Sequence, residues 1–281
     1  QVWCGEFGCY NRTPVQSRLR WIEDVAQVCR EYGIGHCLWN FQGGFGFVAP
    51  GQSKVADPYM LNAQVDWERL NIASLKNNAL VKAFADENAT GAYGADKAVD
   101  GIYSTRWGAG NNTGACSWWI DLGKTYAVSM ICPLWENYAR QYEVYMATEK
   151  GADGIPVWGT IPAVSQDKRL GEYIRTYISD GVAAGNYISD PHVFDSPVKA
   201  RYIKIKQLRS ASASWGSSLW EMQVLGTPEN AGTSIGKTTA CHAENPAHAC
   251  PGIYTLSGVK VHQKPARGDI YLQGGRKYVM R

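Results

Sequence analysis

The sequence predicts a multidomain chain in three parts: two β/α units, an all-β sandwich and a small β-hairpin tail. Three observations predict it. Residues 1–78 alternate short apolar strands with segments of three- and four-residue apolar period. Residues 79–227 break into short alternating or apolar runs separated by Gly, Asn, Asp and Ser, as a sandwich requires. Residues 250–281 return to brief strands with paired glycines. A length of 281 residues suits two domains, and 45% apolar residues can fill real cores.

The first strand is read over Gln1–Cys4, which places Glu6 of Gly5-Glu6-Phe7-Gly8 just beyond a strand end. Thr13-Pro14-Val15-Gln16 reads as a helix start, with Thr13 as cap, Pro14 in the first helical position and Gln16 placed to close a capping box. The helix is predicted over 14–32. Leu19, Ile22, Val25, Ala26, Cys29 and Tyr32 form one apolar stripe, and Gly33 is the stop. A second strand is predicted over 35–40.

In this order, Gly5-Glu6-Phe7-Gly8, Arg20-Trp21-Ile22, Tyr32-Gly33-Ile34-Gly35, Leu38-Trp39-Asn40 and Gly44-Phe45-Gly46 resemble the end of a glycoside hydrolase family 5 (cellulase family) barrel. The resemblance covers residues 1–78 and implies a partial (β/α)8 barrel, namely its last two β/α units, with 66–77 as the closing helix. It implies that Glu6 is the catalytic nucleophile after the seventh strand and that Trp39, after the eighth, floors a substrate subsite. The competing reading makes Glu6 a loop cap and Trp39 a core residue. Retaining glycosidases need two carboxyl groups about 5–5.5 Å apart. In the resembled family the acid/base lies on an Asn-Glu pair after the fourth strand, and Glu87-Asn88 and Glu229-Asn230 have the wrong order. The expectation is therefore the C-terminal portion of a longer endo-β-glucanase-like enzyme acting on plant-type polysaccharide, inactive by itself. Gln1 in place of Met agrees, although a processed end would look the same.

Within 79–227, strands are read over 118–122, 127–133, 142–147 and 200–205, with a long irregular insertion at 151–197. The strings Ala98-Val99-Asp100-Gly101, Thr105-Arg106-Trp107, Trp118-Trp119-Ile120-Asp121-Leu122-Gly123, Ala200-Arg201-Tyr202-Ile203-Lys204-Ile205 and Leu219-Trp220-Glu221-Met222-Gln223-Val224 resemble discoidin, or coagulation factor 5/8 type C, domains. In a carbohydrate-active protein such a domain resembles a family 32 carbohydrate-binding module. The implied fold is an eight-stranded jelly-roll sandwich. A sandwich brings its first and last strands together, so the carboxylates of Asp100 and Glu221 and the Thr105 hydroxyl can form a hard oxygen cage suited to Ca²⁺. The resemblance implies a structural Ca²⁺ held by the Lys97 carbonyl, Asp100, Thr105, Glu221 and the Met222 carbonyl. Against this, Asp100 could simply form a turn with Gly101 and Glu221 pair with a base.

A sugar site needs an aromatic face plus side chains rich in donors and acceptors. The segment 134–140 supplies both, so Trp135, Asn137, Tyr138 and Arg140 are the candidates, with Trp215 as a second wall. Each loop aromatic could equally be surface cover. Trp107, Trp118 and Trp119 belong to motifs that build the sandwich, so core packing is their expected role.

Composition narrows the partners. A net charge of +3 comes with no basic block interleaved with aromatics, so no nucleic acid is expected. No apolar run approaches the length of a membrane span. The 11 Trp and 16 Tyr against 6 Phe suit sugar stacking and sheet packing alike, so the expected polysaccharide or glycan partner is what the resemblance to carbohydrate-binding modules implies. Eight Cys form no Cys-x-x-Cys pair or metal spacing, and Cys241 with Cys250 or Cys116 with Cys132 are the disulfide pairs to test. Residues 228–249 read as a linker. In the tail, Ile253, Thr255, Val259 and Val261 around Ser257-Gly258 predict a hairpin. The tail resembles the β tails ending many secreted bacterial proteins, implying a secreted or cell-surface bacterial monomer. The rival reading is a stand-alone carbohydrate-binding or adhesion protein with a relic barrel segment.

Overall fold

The computed structural model describes residues 2–88, 91–111, 114–161, 174–179, 182–229, 253–255, 260–261, 270–273 and 276–279. Residues Gln1–Glu229 pack as one compact unit and Asn230–Arg281 form a second.

The first unit opens with β1 (Trp3–Phe7), α1 (Val15–Glu31) and β2 (Gly35–Leu38). The two strands pair in parallel, with Trp3 opposite Gly35 and Phe7 opposite Leu38. Glu6 thus lies inside β1 rather than beyond it, because the strand begins and ends later than the apolar run suggested. The α1 stripe is as read from Leu19 to Cys29, where Leu19, Ile22 and Ala26 pack on Phe7, Met60 and Ala63, but Tyr32 lies past the helix end and is 76% exposed. The capping box is not. Pro14 itself occupies the N-cap with no side-chain cap bond, which leaves Thr13 one residue too early to serve. At the other end Gly33 adopts φ 63, and the Ile34 N–H donates to the Cys29 carbonyl at 2.7 Å. That left-handed stop favours glycine.

Two short helices follow, α2 (Pro58–Asn62) and α3 (Trp67–Leu70). The helix expected over 66–77 ends after one turn. Buried Asn71 explains it: its Oδ1 accepts from the N–H groups of Ala73 (3.0 Å) and Val224 (2.9 Å), and its Nδ2 donates to the Met222 carbonyl at 3.1 Å. The side chain satisfies donors that a continuing helix would have used, and ties the segment to the sandwich instead.

The sandwich comprises β3 (Lys82–Ala85), β4 (Trp107–Gly108), β5 (Cys116–Asn137), β6 (Ala139–Ala147), β7 (Gly159–Ile161), β8 (Ile174–Ser179), β9 (Val182–Ser189), β10 (His192–Ser210) and β11 (Ser218–Pro228). The order is β4-β11-β5-β10-β6-β7, with β3 and the β8–β9 hairpin also attached to β5. Residues 118–121 of β5 pair with β3, whereas residues 126–137 pair with β11. Between these stretches stands Gly123 at φ 80, where a Cβ would lie 2.4 Å from the Leu80 Cβ. One long strand therefore serves both layers, and the sheet curls on itself in the jelly-roll manner. The segment 151–197, expected to be irregular, contains β7, β8, β9 and the start of β10.

Between the layers lie Trp107, Trp118, Ile120, Leu122, Trp135, Tyr142, Ile203, Ile205, Leu219 and Val224, all buried. Each large apolar side chain of this kind contributes roughly 1.5–3 kcal/mol by leaving water. Trp107 and Trp118 are core as expected. Trp119 is not, since a strand turns successive side chains to opposite faces; it stacks on Phe84 at 4.0 Å on the outer face. Nearby, Arg201 grips Asp121 through two bonds of 2.8 and 3.0 Å. Burial alone would raise that carboxyl, but Arg201 and the Gly123 N–H outweigh it and hold Asp121 below its ordinary range.

The second unit is a four-stranded antiparallel sheet of β12 (Ile253–Thr255), β13 (Lys260–Val261), β14 (Ile270–Gln273) and β15 (Arg276–Val279), in the order β13-β12-β14-β15. Ile253 faces Val261 and Tyr254 faces Lys260, the pairing of the expected hairpin. Among the described residues the cysteines are free thiols. Cys116 and Cys132 sit on one strand opposite Gln207 and Gln223, so they do not form the suggested pair. Cys241 and Cys250 lie outside the described residues. No described helix is long and apolar enough to cross a membrane.

Candidate functional site

The segment 134–140 is not a free loop. Trp135 closes β5 with no exposed surface and meets the Tyr142 ring edge-on at 5.4 Å. Its position on the inward face of the pleat makes it core, which corrects its reading as a sugar platform. Arg140 lies in β6, half-buried and partnered. Tyr138 occupies the β5–β6 turn, packed on the core, and its carbonyl accepts from the Ala211 N–H at 3.0 Å. Asn137 points to the 211–217 loop, donating to the Ser210 Oγ (2.9 Å) and the Gly216 carbonyl (2.7 Å). Of the four, Asn137 and Tyr138 bond the 211–217 loop.

That loop carries Trp215. It is 75% exposed, the most exposed tryptophan of the sandwich. Its loop is nevertheless fixed. The Ser214 and Trp215 N–H groups both donate to Ser212 Oγ at 3.1 Å. Buried Gln207 accepts from the Ser217 N–H at 2.7 Å and donates to the carbonyls of Asn111 and Gly114 at 3.1 Å each. Asn111 in turn donates to Glu87. A Cβ on Gly216 would stand 2.4 Å from the Ala109 carbonyl oxygen and 2.5 Å from that of Asn111, so only glycine lets these loops touch. An exposed indole on a braced loop can stack on the apolar face of a pyranose.

Gln207, Asn111 and Gly216 were not singled out from the sequence. Gln207 did carry a signal. It continues the inward series Ile203, Ile205, and a polar residue at an inward strand position needs internal partners.

The second cluster lies at Asp100 and Glu221, on the side of the sandwich where the 3-10 turn Ala95–Ala98 meets β11. Thr105 Oγ1 donates to both Asp100 oxygens, at 3.0 and 2.8 Å. Glu221, 1% exposed, accepts from the Gly101 N–H at 2.6 Å, and its Oε2 is buried without a protein partner. Burial, then the neighbouring Asp100 carboxylate, push Glu221 up to about 8 against the pull of the Gly101 N–H. Lys97 contributes its ammonium, 3.6 Å from Asp100, and the Met222 carbonyl accepts from Asn71. Asp100, Thr105 and Glu221 come together as expected. Among the described residues, no group of three or more His, Cys, Asp or Glu is arranged to hold a metal.

At the N-terminal pair of strands, the Trp39 N–H donates to the Phe7 carbonyl at 2.6 Å, and a Cβ on Gly8 would lie 2.0 Å from the Trp39 carbonyl oxygen. Glu6, exposed, and Trp39, 49% exposed, therefore stand at the same end of β1 and β2. Trp39 is not core.

A profile of the F5/8 type C domain family matches residues 82–222, half of the chain. Endoglucanase C of Acetivibrio thermocellus is 38% identical over 42 residues, 15% of this chain and 12% of that protein. Among solved structures, chitosan-binding module 2 of a Paenibacillus sp. IK-5 chitosanase/glucanase, in complex with chitotriose, is 25% identical with a TM-score of 0.41, covering 56% of this chain and all of that module. A family 32 carbohydrate-binding module of Clostridium perfringens, in complex with galactose, is 21% identical with a TM-score of 0.36, covering 52% of this chain and 93% of that module.

Proposed function

We propose, from the premise that this chain belongs to the F5/8 type C domain family through residues 82–222, that its sandwich is a carbohydrate-binding module that holds a glycan against Trp215. The observation that carries this is the combination of 75% exposure with a loop braced by Asn137, Gln207 and Gly216. A large aromatic ring held in water on a braced loop can stack on the apolar face of a sugar at little ordering cost. The test is retention in affinity gels cast with chitosan, galactan or β-glucan. Trp215→Ala should weaken retention by about tenfold, near 1.4 kcal/mol, with an unchanged melting temperature. Unchanged retention on every gel that holds the parent chain would remove the site.

The N-terminal segment is, in this reading, the C-terminal part of a retaining β-glycanase barrel, with Glu6 as nucleophile and Trp39 as subsite floor. The parallel β1-α1-β2 unit and the short identity with an endoglucanase support it. Two strands supply neither a closed sheet nor an acid/base partner, so this chain should release no reducing sugar from soluble β-glucan. Turnover abolished by Glu6→Gln would overturn that expectation. The parent enzyme is read as exported, with residues 250–281 as the export or surface-attachment tail and a polysaccharide as its target.

A structural Ca²⁺ fits the cluster at Asp100. Two carboxylates and a hydroxyl converge there, and the orphaned Glu221 Oε2 is a hard oxygen lacking a partner. Asp100, Thr105, Glu221 and the carbonyls of Lys97 and Met222 would hold the ion, which would supply charge compensation between the two carboxylates and no catalysis.

A further inference from the structure

We propose that the crevice between α1, the 62–69 segment and the sandwich is a second saccharide site, one that takes a cationic amino-sugar oligosaccharide. The proposal goes beyond the Trp215 site and does not depend on it. The crevice has a volume of about 1510 Å³, above the roughly 300–1,000 Å³ of sites for small molecules. An extended oligomer fits such a space better than a single sugar.

Its walls are built for polar ligands with apolar faces. The buried stripe of α1 faces Phe7 and Met60, so the opposite, charged side of the helix looks into the crevice. The Trp67 and Tyr187 rings line the crevice, and both are fixed: Trp67 Nε1 donates to the Asn62 Oδ1 at 3.1 Å, and the Tyr187 hydroxyl to Glu23 at 3.3 Å. At the β11 wall stands Gln223. It is 4% exposed, lines the crevice, and its Oε1 is without a protein partner. Arg30 Nη1, on α1, is buried and unpartnered as well. Buried polar atoms left without partners are uncommon and costly. Here an acceptor and a donor of this kind line one crevice, which is what the hydroxyl and amino groups of a sugar would satisfy.

Charge selects among sugars. The lining carries five carboxylates, on Glu23, Asp24, Glu31, Asp66 and Glu68. It carries three guanidiniums, on Arg20, Arg30 and Arg69. An excess of acid favours a protonated glucosamine chain over a neutral one, and disfavours a uronate chain, by complementarity.

The test is calorimetric titration of the full chain with the hexamers of glucosamine, glucose (β-1,4-linked) and galacturonate. The glucosamine hexamer should bind tightest and the galacturonate hexamer weakest, with the difference shrinking at high salt. Trp67→Ala and Gln223→Leu, each checked by thermal melt and circular dichroism, should weaken glucosamine-hexamer binding about tenfold. Trp215→Ala should leave that component in place. Binding that vanishes with Trp215→Ala alone, or that survives both crevice variants in folded form, overturns this site while leaving the Trp215 reading intact. Binding lost only in the crevice variants supports the crevice and leaves the Trp215 reading to its own test, gel retention. Equal or tighter binding of the galacturonate hexamer, or no binding of any hexamer, overturns the crevice proposal.

Discussion

A tryptophan with both ring faces covered serves the fold, whereas one with a free face is able to meet a ligand. Trp135 and Trp215 divide along this line, and so should their variants. Trp135→Ala leaves a large cavity beside Tyr142 and should cost about 3–5 kcal/mol in urea unfolding, with any loss of glycan binding following from unfolding. A cost below about 1 kcal/mol would contradict its place in the core. Glu221 offers a second residue-scale prediction. Its carboxyl is raised to about 8 when folded, against an ordinary value of 4.5. The folded state therefore binds its proton more tightly than the unfolded chain does. That contribution to stability is complete below pH 4.5 and is lost as pH rises through about 8. With chelator present the melting temperature should fall between about pH 5 and pH 8, and Glu221→Gln should flatten the fall.

The elements that matter are those whose ends are tied by single side chains. The 211–217 loop approaches the 109–114 loop through Gly216, where two backbone oxygens exclude a Cβ. Neither oxygen can yield as a flexible side chain could. Gly216→Ala should cost about 1–3 kcal/mol and, by shifting the loop, weaken gel retention as Trp215→Ala does; normal retention would show that the loop is not rigid. Asn71 does similar work between α3 and β11, where its side chain bonds three backbone groups of the chain. Periodicity predicted α1 well because its stripe repeats over many turns. The closing helix that the barrel resemblance implied over 66–77 fails, because Asn71 finds partners about 150 positions away, a pairing that no local pattern records.

At the scale of the molecule, calcium and the two-layer closure are one question. If Ca²⁺ bridges the carboxylates of Asp100 and Glu221, it compensates the buried charge of Glu221 and its repulsion by Asp100, the two causes that raise it, so added Ca²⁺ should raise the melting temperature and remove its decline with pH. A melt indifferent to both Ca²⁺ and chelator would dismiss the ion. The sequence alone determined the β/α opening, the all-β middle and its family, the α1 stripe, the hairpin of the tail, and the meeting of Asp100, Thr105 and Glu221. Those features rest on local periodicity, or on strings of residues whose order is itself the information. Only the tertiary structure decided which tryptophan is exposed, that 134–140 lies in two strands and their turn instead of a free loop, and that α1 turns its charged side to a crevice. The physical reason is that exposure belongs to a residue's surroundings: Trp135 and Trp215 are the same side chain, and only the other strands and loops distinguish the covered ring from the free one.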